Sequence, residues 1–175
     1  MIFMRGYRVI VVSLLKFEDR TPRDLKGMID YMCDSTKTDL NGIFGIGVNP
    51  ENAFGEMKLV QNVYHRDCLL HDYVQVIFCF EQGITKDIKF LREVCVKIGQ
   101  VLITDVRQVL GAIHYLGTDK IHCHYLINYV GIDRSLYRQR YSVLYYKMLV
   151  NKILSDYGLQ LIEYTATRND TNIGV

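Results

Sequence analysis

The chain has 175 residues, 49% of them hydrophobic and 23% charged, which is enough for one domain with a sizeable core and ordinary for a soluble globular fold. No apolar run approaches the ~18 residues that span a bilayer, and the short apolar run near the N-terminus lacks a cleavage-site pattern, so neither membrane insertion nor a signal peptide is expected. Five cysteines without a CxxC pair argue against a disulfide scaffold or a structural zinc knuckle and fit a reduced, cytoplasmic protein, while a net charge of +2 gives only weak support for nucleic-acid binding. In chain order, Tyr7–Leu15 reads as a buried strand. Thr21 is expected to cap a helix that Pro22 opens and that runs to about Cys33. Ile43–Val48 reads as a short strand interrupted by Gly45 and Gly47, and Asn49 as the cap of a helix from Pro50 to about Tyr64. His71–Phe80 is rich in Val, Ile and aromatics and reads as a strand. Thr85 is expected to cap a helix in which Ile88, Leu91, Val94, Cys95 and Ile98 recur at helical spacing, with Gly99 as its stop. Val109–Leu116 and Ile121–Val130 read as strands joined by the turn-like Gly117-Thr118-Asp119-Lys120. Ser142 then caps a helix to Tyr157 that Gly158 ends, Leu159–Tyr164 is a last strand, and the polar tail from Thr165 is expected to fray.

The whole predicts an α/β (α+β) fold: a mostly antiparallel sheet of five to six strands with helices packed on one face. No repeat, low-complexity tract or linker is visible.

The most informative residues are His114, His122 and His124. Strand alternation puts His122, His124, Leu126 and Asn128 on one face of their strand and Ile121, Cys123, Tyr125, Ile127 and Tyr129 on the other. The odd set looks core-facing, so the two histidines and Asn128 are expected on a different surface. If Gly117–Asp119 forms a three-residue loop, His114 faces His122 across the hairpin, with Cβ atoms roughly 4.5–5.5 Å apart. Three neutral imidazoles then converge on one patch, a donor set that suits a divalent transition metal and leaves coordination positions open. The competing reading is a strand with histidines exposed to water. Further on, Arg134, Arg138, Arg140 and Lys147 are interleaved with Tyr137, Tyr141, Tyr145 and Tyr146. Charges for phosphates and rings for stacked bases are what single-stranded DNA binding uses; a solvated, Tyr-rich loop and helix face has the same composition.

The spacing His114-x7-His122-x-His124, followed by Asn128, resembles the third motif of relaxases, the mobilisation nucleases of plasmids and conjugative transposons, and among HUH endonucleases the P class in particular. Upstream, Asp30-Tyr31-Met32-Cys33-Asp34-Ser35 with Lys37-Thr38 is similar to the family's first motif, a helix-borne Tyr followed by a Lys-Thr pair. Gly47-Val48-Asn49 and Glu51-Asn52-Ala53 resemble the stretch that follows it. His71-Asp72-Tyr73-Val74-Gln75 and Phe80-Glu81-Gln82-Gly83 resemble the second motif. Leu116 stands where the family commonly has an Asp two residues after its first metal-binding His, and Val76, Ile77 and Phe78 occupy the area of its Ser-Phe pair.

The resemblance implies a relaxase domain over residues 1–164, with 165–175 as a polar tail at a boundary. It implies a bacterial, cytoplasmic enzyme that nicks one strand at an origin of transfer, with that DNA as its partner alongside an accessory origin-binding protein and the conjugative coupling machinery. Tyr31 would be the nucleophile and His114, His122 and His124 the ligands of a divalent metal, Mn or Mg. Asn128 would orient a histidine ring, with Asp119 as a substitute for the missing acid. Lys37, Arg134, Arg138 and Arg140 would contact DNA, and His71 would orient phosphate or bond the backbone at a strand start. A phenol is protonated at neutral pH, so the nucleophile needs a neighbouring metal or base. Two rival functions remain: a rolling-circle replication initiator or transposase of the same superfamily, with Tyr141, Tyr145 or Tyr146 as nucleophile, and a non-nuclease, either a metal hydrolase or a single-stranded DNA-binding protein without chemistry.

Overall fold

The computed structural model describes residues 24–64, 72–80, 83–103, 106–138, 143–159 and 161–162. Asp24 opens the first helix, α1 (Leu25–Met32), by accepting the Gly27 N–H at 2.7 Å; a cap of this kind contributes about 1 kcal/mol. The expected start at Thr21 and Pro22 lies outside the described residues, as do the expected strand Tyr7–Leu15, the cap Ser142 and the tail from Thr165. Strand β1 (Ile43–Ile46) leads to a 3-10 turn, Pro50–Asn52, capped by Asn49 through its bond to the Glu51 N–H. Then follow α2 (Ala53–Val63), β2 (Tyr73–Cys79), α3 (Ile88–Leu102), β3 (Val109–His114), β4 (His122–Asn128) and α4 (Val143–Asp156).

Two expected helix signals belong to other residues. Asp87, not Thr85, caps α3 by accepting the Lys89 and Phe90 N–H groups, while the Thr85 hydroxyl accepts the Asp87 N–H one step earlier. Gly99 does not stop α3, which continues to Leu102. A Cβ at position 99 would lie 2.9 Å from Ile46 Cδ1 and 3.1 Å from Tyr125 Cε1, so the missing side chain lets α3 press against the sheet.

The strands form one antiparallel sheet in the order β1-β3-β4-β2. The fold is α+β, with four strands among the described residues rather than five to six. Of the expected last strand, Leu159, Leu161 and Ile162 are described and are not in a strand. Instead the Asn151 carboxamide bonds both backbone groups of Ile162, at 3.0 and 2.7 Å, which does the work of a strand partner.

Helices cover both faces of the sheet, not one. On one face α3 and α4 bury Leu91, Val94, Ile98, Val150 and Leu154 against Val76, Phe78, Ile113, Cys123 and Tyr125. On the other, α1 and α2 bury Leu25, Met28, Met32 and Met57 against Leu110, Ala112 and Leu126. β3 and β4 are the central strands, so both of their faces need cover. The even-numbered face of β4 is therefore a second core, and two of its polar members are enclosed, His124 at 3% and Asn128 at 0% exposed, while His122 at the strand end is only half-buried.

Candidate active site

The hairpin of β3 and β4 has the register expected from its turn: His114 pairs with His122 and Ala112 with His124. The connection spans 115–121 and turns at Gly117, whose φ of +64° favours glycine. Ring centroids lie 5.0 Å apart for His114 and His122, 4.5 Å for His114 and His124, and 4.9 Å for His122 and His124. One nitrogen of each ring lies within 4.8 Å of the other two, close enough to meet at one ion after small ring movements.

Each ring has one nitrogen in a hydrogen bond. His114 Nε2 donates to the Met32 carbonyl at 2.9 Å, which leaves Nδ1. His122 Nδ1 donates to the Lys120 carbonyl at 2.8 Å, which leaves Nε2. His124 Nδ1 meets the Gln75 carboxamide at 2.8 Å, and its Nε2 is buried without a hydrogen-bond partner. An unpartnered buried polar atom costs about 1–3 kcal/mol. Burial, first of all, pulls the pKa of His114 down. It also pulls His124 down to about 3, with the charges of His114, His122 and Lys37 adding to the effect. Both rings are thus neutral at ordinary pH, the form that ligates metals. A three-imidazole donor set, neutral rings and an unsatisfied buried nitrogen together fit a divalent transition ion.

Tyr31, half-buried near the end of α1, packs edge-on against two of these rings, with centroids 5.7 Å from both His114 and His124. Lys37 Nζ lies 3.8 Å from the centre of the Tyr31 ring and 3.3 Å from the Asp34 carboxylate. Its backbone is clamped to the end of the hairpin, because the Lys37 carbonyl accepts the N–H groups of Tyr115 and Leu116 at 3.0 and 3.1 Å. The Thr36 backbone N–H, then the Thr36 hydroxyl and Lys37, hold Asp34 down to about 2, so it stays ionised beside the ammonium. The structure thus brings together Tyr31, Lys37 and the three histidines, drawn from α1, the loop after it, and β3 and β4.

Other expected site residues stand elsewhere. Asn128 bonds none of the histidines; its amide joins Gln61 at 3.0 Å, Gln108 at 2.8 Å and the Met57 carbonyl at 3.2 Å, tying α2 to the sheet. Asp119 is exposed and pairs with Lys86 at 3.3 Å. Arg134 and Arg138 are exposed beyond the far end of β4, roughly 20 Å along the strand from His122. The Arg134 guanidinium lies 5.9 Å from the centre of the Tyr64 ring. His71, Arg140 and Tyr141 lie outside the described residues. Tyr145 and Tyr146 lie on α4, which packs on the sheet face opposite the histidines. Gln75 was not singled out by sequence reasoning. Its signals were its place in a strand and in the stretch that resembles the second relaxase motif, but which strand lies beside β4 is not written locally.

No curated protein matches the chain. A solved structure from work on the molecular basis of vancomycin resistance transfer in Staphylococcus aureus is similar at 12% identity and a TM-score of 0.48, covering 75% of this chain and 77% of that one. Among the described residues no helix is long and apolar enough to cross a membrane. The family profile for relaxases, MobA/VirD2-like nuclease domain, matches residues 31–159, which include Tyr31, the hairpin and all three histidines. The chain therefore belongs to the relaxase family of mobilisation nucleases and carries its MobA/VirD2-like nuclease domain.

Proposed function

We propose that this chain nicks one strand of DNA at an origin of transfer, using Tyr31 as nucleophile and a divalent metal, manganese or magnesium, held by His114, His122 and His124. The observation that carries this reading is the contact of the Tyr31 ring with both His114 and His124 at 5.7 Å. The Tyr31 oxygen forms a bond to the scissile phosphorus, the bond from phosphorus to the 3′ oxygen breaks, and the phenol proton leaves while the 3′ oxygen gains one. The products are a 5′-phosphotyrosyl adduct and a free 3′ hydroxyl. The bond energy stays in the adduct, so the strand can be rejoined. A bound dication supplies stabilisation of negative charge on the phosphate oxygens.

The chain's own residues do the rest. The three imidazoles bring one nitrogen each within 4.8 Å of the other two. Lys37 stands beside Tyr31, paired with Asp34, and would turn its ammonium to a phosphate oxygen when DNA is bound. Arg134 and Arg138, and Arg140 in sequence, supply phosphate contacts farther along the strand. Such an enzyme works in the bacterial cytoplasm on origin DNA, with an accessory origin-binding protein and the coupling machinery as partners. A replication-initiator mechanism through Tyr145 or Tyr146 is disfavoured because α4 lies on the other face of the sheet from the histidines.

The test is covalent capture. The protein is incubated with Mn²⁺ and single-stranded DNA carrying the native origin, and the adduct is mapped by mass spectrometry. An adduct on Tyr31 that disappears in Tyr31→Phe, with DNA binding retained, is the expected result. An adduct on Tyr141, Tyr145 or Tyr146, or cleavage retained by Tyr31→Phe, overturns the reading.

A further inference from the structure

Two of the three histidines have their tautomer set by a backbone carbonyl, Met32 for His114 and Lys120 for His122. A carbonyl oxygen can only accept, so the bonded ring nitrogen carries the proton and the other keeps its lone pair. His124 differs. Its Nδ1 faces the side-chain carboxamide of Gln75 at 2.8 Å, reached from the neighbouring strand β2. A carboxamide presents two atoms of similar shape and opposite hydrogen-bonding character.

With the Gln75 nitrogen toward the ring, Nδ1 accepts and the imidazole proton sits on Nε2. That N–H is buried and has no hydrogen-bond partner among its neighbours, the other two imidazoles and the Tyr31 ring. Half a turn about the last side-chain torsion of Gln75 puts its oxygen on Nδ1–H instead. The exchange gives up only a weak contact of the amide nitrogen with the Met28 sulfur at 3.6 Å. Nε2 then holds a lone pair directed into the cluster, and all three rings donate to a neutral carbonyl oxygen.

We propose that Gln75 is a positioning residue that accepts from His124 Nδ1–H and so presents His124 Nε2 as a ligand atom to the metal. This rests on the metal reading given under Proposed function. Because the accepting oxygen is uncharged, the imidazole is a weaker base than one bonded to a carboxylate, and a carboxylate in its place strengthens metal binding.

Two measurements test it. Nitrogen-15 NMR of the histidine rings in metal-free protein reads the tautomer without any ion present, and His124 is expected as Nδ1–H with Nε2 bare. Mn²⁺ titration followed by the electron paramagnetic resonance of the free ion reads affinity. Gln75→Leu keeps the volume and removes the acceptor, and is expected to weaken binding about 10–100-fold. Gln75→Glu keeps an acceptor and removes the donor, and is expected to bind at least as tightly as wild type. An Nε2–H tautomer, a Gln75→Leu protein of wild-type affinity, or a Gln75→Glu protein as weak as Gln75→Leu overturns the role of Gln75 while the metal reading stands. Wild-type protein that takes up no Mn²⁺ overturns both. Near-ultraviolet circular dichroism of each variant separates these outcomes from misfolding.

Discussion

Acid should destabilise the metal-free protein through its histidine cluster, and by an amount that can be worked out. Burial, and in second place the charges of His114, His122 and Lys37, hold His124 at about 3 against an ordinary value of 6.5. A base depressed in this way binds fewer protons folded than unfolded. Its effect on stability is nil well above 6.5, grows as the pH falls below 6.5, and levels off near 3. Within that window each pH unit costs about 1.4 kcal/mol, so His124 alone removes about 2 kcal/mol on going from pH 7.5 to pH 5. His114, pulled down mainly by its own burial, acts in the same direction. Against a total stability of about 5–15 kcal/mol the loss is large, and with a urea slope of about 1–3 kcal/mol per molar it moves the unfolding midpoint by about 1 M. The assay is urea unfolding followed by circular dichroism with chelator present, at pH 7.5 and pH 5, for wild type and His124→Asn. The variant has no titrating group at that position, so its midpoint should move less between the two pH values, by the equivalent of about 2 kcal/mol. Equal shifts in the two proteins would refute the assignment of the acid sensitivity to a neutral, enclosed His124.

His122 is half exposed, so His122→Ala should lose Mn²⁺ binding and nicking together at little cost in thermal stability; retained metal uptake would remove it from the ligand set. Asn128→Ala strands Gln61, Gln108 and the Met57 carbonyl in a buried place and should cost about 2–3 kcal/mol in denaturant unfolding, with Mn²⁺ affinity unchanged. The reverse pattern, metal affinity lost at full stability, would return Asn128 to the metal site. Gly111→Ala puts a Cβ 2.1 Å from Phe44 Cζ, in the core, and overpacking of this kind costs about 1–3 kcal/mol; an unchanged melting temperature would show that Phe44 has room to move.

The hairpin was legible because everything that specifies it is local: period-two alternation, a glycine turn, and a register that puts His114 opposite His122. The side of the sheet it faces was not. Histidines and an asparagine on the even positions of β4 read as a surface pattern, and only the arrival of α1 and α2 turns that face into a core. Asn128 is satisfied by Gln108, 20 residues away, and by Gln61, 67 residues away. No inspection of β4 alone finds such partners. The same limit hid Gln75, which matters because the sheet order places β2 next to β4. Errors at the helix ends were of another kind: Thr85 and Asp87 both suit a cap, and Gly99 reads as a stop until the tight approach of Ile46 and Tyr125 gives it a packing reason.

Helix α1 connects core packing to the proposed chemistry. Leu25, Met28 and Met32 sit at helical spacing and fix the helix against Leu110, Ala112 and Leu126. The last carbonyls of a helix have no partner within it, and here the Met32 carbonyl takes the Nε2 proton of His114. Tyr31 is the residue before, so one helical turn sets both the position of the aromatic ring and the tautomer of a histidine it touches. Met28, one turn back, meets Gln75, which in turn faces His124. The apolar residues of α1 therefore do more than stabilise the fold: they set the separation between Tyr31, the proposed nucleophile, and the histidines. Because a misplacement of about 1 Å can cost about 100-fold in rate, the precision of the proposed site, made from a helix and a separate hairpin, depends on how tightly three buried side chains hold that helix in place.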